Sequence, residues 1–195
     1  MLPSADPETR SRLFSRVEEE GRIFLHVCCG PCAEWPLTIL FDAGISVTSF
    51  FYNPNIHPET EQARRLENVE KLMQMKGIPL FVQKSYLESD WVSGSWEGVY
   101  ASRCEMCYSV RMEWAARAAK ENGYSFFSTS LLVSPYQDFD GIVRAGSMAA
   151  EREGISFLPF DFRPGFRRGQ QMARDDGLYL QKYCGCIFSL RNDKS

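Results

Sequence analysis

The cysteines of this sequence fall into three short groups whose composition suits metal binding or thiol redox chemistry. The first group is "CCGPC", which holds Cys28, Cys29 and Cys32 directly after the apolar run "RIFLHV". A single buried cysteine commonly behaves as a small hydrophobic residue. That explanation suits three clustered cysteines poorly, because they lie where the chain leaves a predicted strand. The cysteines of this turn are therefore predicted to bind a metal or to take part in thiol chemistry.

The second group lies in "RCEMCYSVR", residues 103–111. On a helix, Cys104, Cys107 and Arg111 share one face, because they are spaced at i, i+3 and i+7. Thiolates in the first turn of a helix are stabilised by free backbone N–H groups and by the helix dipole. A CxxC pair alone is compatible with a redox pair, a zinc site or chance. Its occurrence together with "CCGPC" favours a chemical role.

The third group is "YCGC", which contains Cys184 and Cys186. A disulfide within a CxC sequence closes a small, bent ring, and departure from relaxed disulfide geometry makes the bond easier to reduce. The pair therefore suits a redox relay. It suits two further metal ligands equally well, and the sequence leaves both interpretations open.

The choice of metal follows from the thiol content. The chain has seven cysteines and two histidines, and thiolate-rich sites select zinc or iron–sulfur clusters over hard cations. No stretch approaches the roughly 18–20 apolar residues of a membrane span, and the first 22 residues are too polar for a signal peptide. We therefore expect a cytoplasmic protein, in which structural disulfides are rare. Candidate ligands spread over distant loops favour an iron–sulfur cluster over a compact zinc knuckle.

The secondary-structure pattern indicates how these groups are positioned. Predicted strands cover 22–27, 46–51, 78–82, 124–129 and 155–160, and predicted helices lie near 33–43, 59–76, 105–121 and 138–152. This alternation indicates an α/β fold, with a mostly parallel sheet and helices on both faces. We expect one domain, 1–195, with its sheet core in 22–160 and a C-terminal cap in 161–195. Ligands of such sheets bind at the carboxyl ends of the strands, where "CCGPC" lies.

A basic segment in the cap is a candidate nucleic-acid contact. The net charge of −3 excludes a uniformly basic binder but not a local patch. The segment "DFRPGFRRGQQMAR" offers arginines for phosphates and an aromatic ring for an unstacked base. The candidate RNA-binding residues are Arg163, Phe166, Arg167, Arg168 and Arg174. A solvated basic face with no partner is the alternative.

Six motifs together resemble those of the QueH family of epoxyqueuosine reductases. They are "HVCCGPC", "YNPNIHP", "RCEMCYSVR", "TSLLVSPYQD", "DFRPGF" and "YCGC", which occur in the expected order between the first strand and residue 189. The resemblance implies a 4Fe-4S cluster and reduction of epoxyqueuosine to queuosine at the wobble position of tRNA, with an external electron donor. It implies cluster ligands at Cys28, Cys29, Cys104 and Cys107, and a redox-active pair at Cys184 and Cys186.

Some roles stay open after this resemblance. Removal of an epoxide oxygen consumes two electrons and two protons, and the candidate proton donors are Asp161, Asp138 and Tyr183. Cys32 and Asp161 are candidates for a second metal ion, which would polarise the epoxide oxygen. The sheet also resembles the nucleotide-binding layout of the HUP and PP-loop proteins, which include tRNA-thiolating enzymes. In those enzymes a glycine/serine loop holds phosphate, whereas "CCGPC" has one glycine and no serine.

Two other functions are compatible with the same residues. A cluster-dependent tRNA sulfur transferase would use the same loops and would bind ATP. A non-catalytic, zinc-stabilised RNA-binding module would be colourless, whereas iron–sulfur proteins absorb visible light.

Overall fold

The computed structural model describes residues 7–87, 89, 93–94 and 96–192. Its helices are α1 (Pro7–Glu20), α2 (Gly30–Asp42), α3 (Glu59–Lys76), α4 (Arg103–Glu121), α5 (Phe139–Glu153), α6 (Phe166–Asp175) and α7 (Ile187–Asn192). Its strands are β1 (Arg22–His26), β2 (Ser46–Phe51), β3 (Leu80–Val82), β4 (Phe126–Thr129) and β5 (Ser156–Phe157). Short 3-10 turns cover Ser130–Val133 and Arg163–Gly165. The predicted single domain of 1–195 includes residues 1–6 and 193–195, which lie outside the described residues.

The five strands form one parallel sheet in the order β3-β2-β1-β4-β5. Side chains of β1 alternate between two hydrophobic clusters, so that Phe24 packs with residues of α4 and α5. Ile23 and Leu25 instead pack with residues of α2 and α3 on the opposite face. Helices therefore cover both faces, as the continuous apolar runs of the strands require. The predicted α/β fold is confirmed.

The order of the strands reverses between β1 and β4, and this point of reversal is where open α/β sheets bind ligands. β1 ends at His26, just before the cysteines of "CCGPC". β4 ends at Thr129, followed directly by Ser130. The side-chain hydroxyl of Ser130 accepts a hydrogen bond of 3.0 Å from the backbone N–H of Cys28. The loops after the two central strands are thus joined at the first cysteine.

Helix α2 begins three residues earlier than the sequence pattern predicted. Cys29 is extended and precedes the helix, and a proline lies in the first turn, where its missing N–H costs no hydrogen bond. A Cβ on Gly30 would lie 2.9 Å from the side-chain nitrogen of Asn68 in α3. The first turn of α2 can therefore pack closely on α3, and Cys32 lies within that turn.

The C-terminal segment packs across α3. The carboxamide of Asn68 donates to the Tyr179 carbonyl at 3.0 Å and accepts from the Tyr179 N–H at 2.9 Å. Lys71 donates to the carbonyls of Asp176 and Gly177 at 3.2 and 2.9 Å. This docking brings the last two cysteines to the carboxyl edge of the sheet. No helix of the described residues has the length and apolarity to cross a membrane.

Candidate metal and thiol site

Three thiols converge at the point where β1 leaves the sheet. The ligand atoms of Cys28, Cys29 and Cys32 all lie within 4.8 Å of one another, and all three side chains are buried or nearly so. Ser130 donates to the sulfur of Cys28 at 3.3 Å. Gln181, from the C-terminal segment, donates to the sulfur of Cys29 at 2.8 Å. We call this group the cysteine triad; its soft, converging donors fit a thiolate-bound metal centre.

Hydrogen bonds and burial shift the pKa values of the three thiols of the triad in different directions. Hydrogen bonds from Cys29 and Cys32 lower the pKa of the Cys28 thiol well below its ordinary value. Burial raises the pKa of the Cys29 thiol. The hydrogen bond with Cys28 is the largest of the effects that raise the pKa of Cys32. Of the three thiols in the triad, Cys28 is the one whose pKa is lowered.

The remaining four cysteines line a second, smaller cavity. Cys104 and Cys107 project from the first turns of α4, and Cys184 and Cys186 come from the C-terminal segment. Burial raises the pKa of Cys107 to about 11. The side-chain nitrogen of Asn55 donates to the sulfur of Cys107 at 3.0 Å.

The larger cavity, of ≈ 440 Å³, is lined by the whole cysteine triad. Cys184, Arg111 and Gln137 line both this cavity and the smaller one. The two sulfur groups therefore adjoin. Cys184 is the only cysteine, among those described, that faces both cavities.

Arg65 anchors the segment that carries Cys184. Its guanidinium is buried, donates to the carbonyls of Tyr183 and Cys184 at 3.0 Å each, and pairs with Glu61 at 2.7 Å. The Tyr183 hydroxyl donates to the His57 carbonyl. These contacts hold the "YCGC" backbone against α3 and the loop after β2.

Gly185 adopts a backbone conformation that favours glycine. Its φ is +111°, and its carbonyl accepts from the N–H of His57 at 2.8 Å. A Cβ at this position would lie 3.0 Å from Cγ1 of Ile56 and 3.1 Å from Nη1 of Arg65. The glycine between the two cysteines therefore lets the segment approach its anchor.

Asp161 is paired with Arg163. Its carboxylate accepts two hydrogen bonds from the Arg163 guanidinium, at 2.8 and 2.7 Å, and one from the Arg163 N–H. The hydrogen bond with the Arg163 side chain lowers the pKa of Asp161, so the residue is ionised at neutral pH. It does not line either sulfur-containing cavity. This geometry argues against Asp161 as the proton donor and as a partner of Cys32 in a second metal site.

The other candidate proton donors are engaged as well. Asp138 caps α5 by accepting from the Gly141 N–H at 3.0 Å. Burial raises the pKa of Tyr183 to about 12, and its proton is directed to a backbone carbonyl. In this structure, both residues therefore hold structural hydrogen bonds.

The predicted RNA-binding residues have different surroundings in the structure. Phe166 lines the larger cavity, and its ring meets that of the exposed Tyr136 edge-on at 5.8 Å. Arg163 is paired with Asp161, and Arg168 lies over the ring of Trp35. Arg174 contacts Gln171 at 3.3 Å, and Arg167 is exposed.

Sequence patterns alone missed two carboxamides at the sulfur atoms. Gln181 comes from an irregular stretch with no motif of its own, and only tertiary docking directs it to Cys29. Asn55 lies in "YNPNIHP", whose turn residues gave no indication of a sulfur contact. A signal was present only in the position of that loop after β2, at the carboxyl edge of the sheet.

A parallel α/β sheet with buried, converging thiols at its switch point defines a class of thiol-bearing α/β proteins. Within that class, the chain matches the family described as Epoxyqueuosine reductase QueH over residues 23–192. It belongs to this family.

Curated relatives support the same assignment. The chain is 33% identical to epoxyqueuosine reductase QueH of Haemophilus influenzae over 179 residues, which is 88% of this chain and 73% of the relative. It is 33% identical to that of Dehalococcoides mccartyi over 171 residues, covering 86% and 92% of the two chains. For the Thermotoga maritima relative, identity is 34% over 178 residues, covering 87% and 91%.

The fold is also similar to that of solved structures. One of them is the U34-tRNA thiolase NcsA from Methanococcus maripaludis with its 4Fe-4S cluster. The TM-score is 0.55 at 13% sequence identity, and the match covers 94% of this chain and 69% of the thiolase. At this identity the likeness establishes a common architecture alone.

Proposed function

We propose that this protein reduces epoxyqueuosine to queuosine at the wobble position of tRNA. The observation that carries the proposal is the family match over residues 23–192, a range that contains all seven cysteines. The larger cavity, with buried thiols in its wall, is a suitable place for a nucleobase that has left its stack. A tRNA substrate and reduced thiols both favour the cytoplasm.

The proposed cofactor is a 4Fe-4S cluster held by thiolates of the site. The resemblance assigns its ligands to Cys28, Cys29, Cys104 and Cys107, and the convergence of the cysteine triad supports a soft metal centre there. Such a cluster supplies electrons one at a time. The N–H donors of Gln181 and Asn55 would orient and stabilise the thiolates, as outer groups do around other metal sites.

The proposed electron relay uses Cys184 and Cys186. Oxidation of two thiols to one disulfide releases two electrons and two protons, which matches conversion of an epoxide to an alkene and water. An external reductant then restores both thiols. Cys184 is well placed for this role because it lines both cavities.

The function is tested by mass analysis of nucleosides. Anaerobically purified protein would be incubated with a reductant and tRNA that contains epoxyqueuosine, and queuosine is the expected product. A sulfur-containing nucleoside would identify the transferase instead. A colourless protein that holds zinc and leaves the nucleoside unchanged would identify the binding module.

Removal of either relay thiol is expected to abolish turnover without loss of iron. The variants Cys184→Ser and Cys186→Ser would be compared with the wild type by iron analysis and by the same nucleoside assay. Both variants are expected to keep the iron content of the wild type, because neither residue is among the proposed cluster ligands. Full turnover by both variants would contradict the relay.

Tyr136 is expected to contribute to tRNA binding. Its side chain is 84% exposed at the rim of the larger cavity, and aromatic rings at such positions stack on unstacked bases. Tyr136→Ala is expected to raise KM for an anticodon stem-loop about tenfold, with kcat little changed, whereas Tyr136→Phe keeps the ring and the wild-type KM. Equal KM values for the alanine variant and the wild type would contradict stacking.

A further inference from the structure

Arg111 is a buried cation for which the described residues supply no carboxylate. Its side chain is 3% exposed, and it forms no salt bridge within the described part of the chain. The other buried arginine, Arg65, pairs with Glu61 at 2.7 Å. A buried charge is costly unless an opposite charge compensates it. The described residues therefore offer Arg111 no carboxylate that would compensate its charge.

The hydrogen bonds of Arg111 go to a neutral group. Its Nε donates to Oδ1 of Asn55 at 2.9 Å, and its Nη2 donates to the same oxygen. An arginine has no acceptor, so this contact fixes which end of the Asn55 carboxamide faces it. The other end, Nδ2, then points at the sulfur of Cys107, 3.0 Å away. Arg111 thus sets the direction of an N–H···S hydrogen bond.

The sulfur atoms of the two cavities would carry negative charge as thiolate ligands of a metal centre. Arg111 lines the cavity that holds the cysteine triad and also the cavity that holds Cys104, Cys107, Cys184 and Cys186. No other arginine or lysine of the described residues lines both cavities.

We propose that Arg111 is the fixed counter-cation of the sulfur centre, and that it raises the reduction potential of the cluster bound there. This inference rests on the cluster of the proposed function. A positive charge stabilises the more negative, reduced state of the cluster, and an N–H···S bond acts in the same direction. Arg111 acts through charge and through Asn55, and it is a positioning residue.

The test is a redox titration of reconstituted protein under anaerobic conditions, followed by absorbance and electron paramagnetic resonance. Arg111→Met keeps the length of the side chain without its charge. At a fixed potential, its ratio of reduced to oxidised cluster is expected to fall about tenfold, a shift of about 59 mV to more negative potential for one electron. Arg111→Lys keeps the charge and is expected to shift the potential less.

Two further variants protect the result against a folding artefact. Asn55→Leu removes the N–H···S bond and keeps Arg111, and a smaller negative shift is expected. Arg117→Met is the matched control, because Arg117 lies on the same helix with a largely exposed side chain paired with Glu153. Its potential is expected to equal that of the wild type. If Arg111→Met holds no iron, the reduction potentials of Arg111→Lys and Asn55→Leu are compared with that of the wild type, and this comparison tests the inference.

Potentials that are equal in the wild type and in all the Arg111 and Asn55 variants that retain a cluster would overturn the inference. Lower turnover at an unchanged reduction potential would also overturn the inference. It would indicate that the guanidinium of Arg111 acts on the substrate oxygen instead. Failure of the proposed function has a different result, because the wild type itself would then hold no cluster or would leave epoxyqueuosine unchanged.

Discussion

The Cys29→Ser variant is expected to purify without iron–sulfur absorbance and without measurable reduction of epoxyqueuosine. The Cys29 side chain is 1% exposed, its sulfur converges with those of Cys28 and Cys32, and Gln181 donates to it. A serine hydroxyl is a hard, weakly acidic donor and replaces a thiolate poorly on iron. Iron content, the visible spectrum and nucleoside analysis together measure the effect.

Cys32→Ser is the matched control for this prediction. Cys32 lies in the same triad but outside the ligand set that the family resemblance implies. We expect this variant to fold like the wild type and to keep its cluster. Loss of the cluster from Cys32→Ser, with retention in Cys104→Ser, would contradict that ligand set and would assign the metal to the triad.

Gly185→Ala is expected to detach the segment that carries the relay thiols. An alanine at φ +111° is strained, and its Cβ would crowd Ile56 and Arg65. We expect the free energy of unfolding to fall by roughly 2–4 kcal/mol, and turnover to be lost because Cys184 no longer has its position. Thermal unfolding and the nucleoside assay measure the two effects.

Gly123→Ala separates backbone strain from crowding. Gly123 has a φ of +75°, and a Cβ there would have no heavy atom within 4 Å. It follows the C-terminal end of α4, whereas Cys104 and Cys107 lie at the N-terminal end. We expect the free energy of unfolding to fall by about 1 kcal/mol and turnover to be retained. Equal losses of stability and equal turnover in the two variants would show that the contacts of Gly185 do not matter.

Hydrophobic periodicity was sufficient to predict the layered fold. The residues of β1, β2 and β4 are buried on both faces of the sheet, as in a parallel sheet that helices cover on both sides. The sequence also placed Cys28 and Cys29 at the end of the first strand, because an apolar run and a Gly-Pro turn are both local signals. Element boundaries were less secure, and α2 begins at Gly30 because proline is tolerated in a first turn.

Spacing along one helix was equally informative. Cys104, Cys107 and Arg111 share a face because helical geometry is fixed, and all three line the smaller cavity. The hydrogen-bond partner of Arg111 could not be predicted in this way, because that partner is Asn55, which lies 56 residues away in the chain.

Local sequence therefore determined the strands, the helices and the exits at which the thiols lie, because these depend on periodicity and turn chemistry over a few residues. Only the tertiary structure decided which groups meet. It directs Gln181 to Cys29 and places Cys184 in the walls of both cavities. Contacts such as that of Gln181 with Cys29, 152 residues apart, follow from how the C-terminal segment docks on α3, and no short-range pattern encodes that docking.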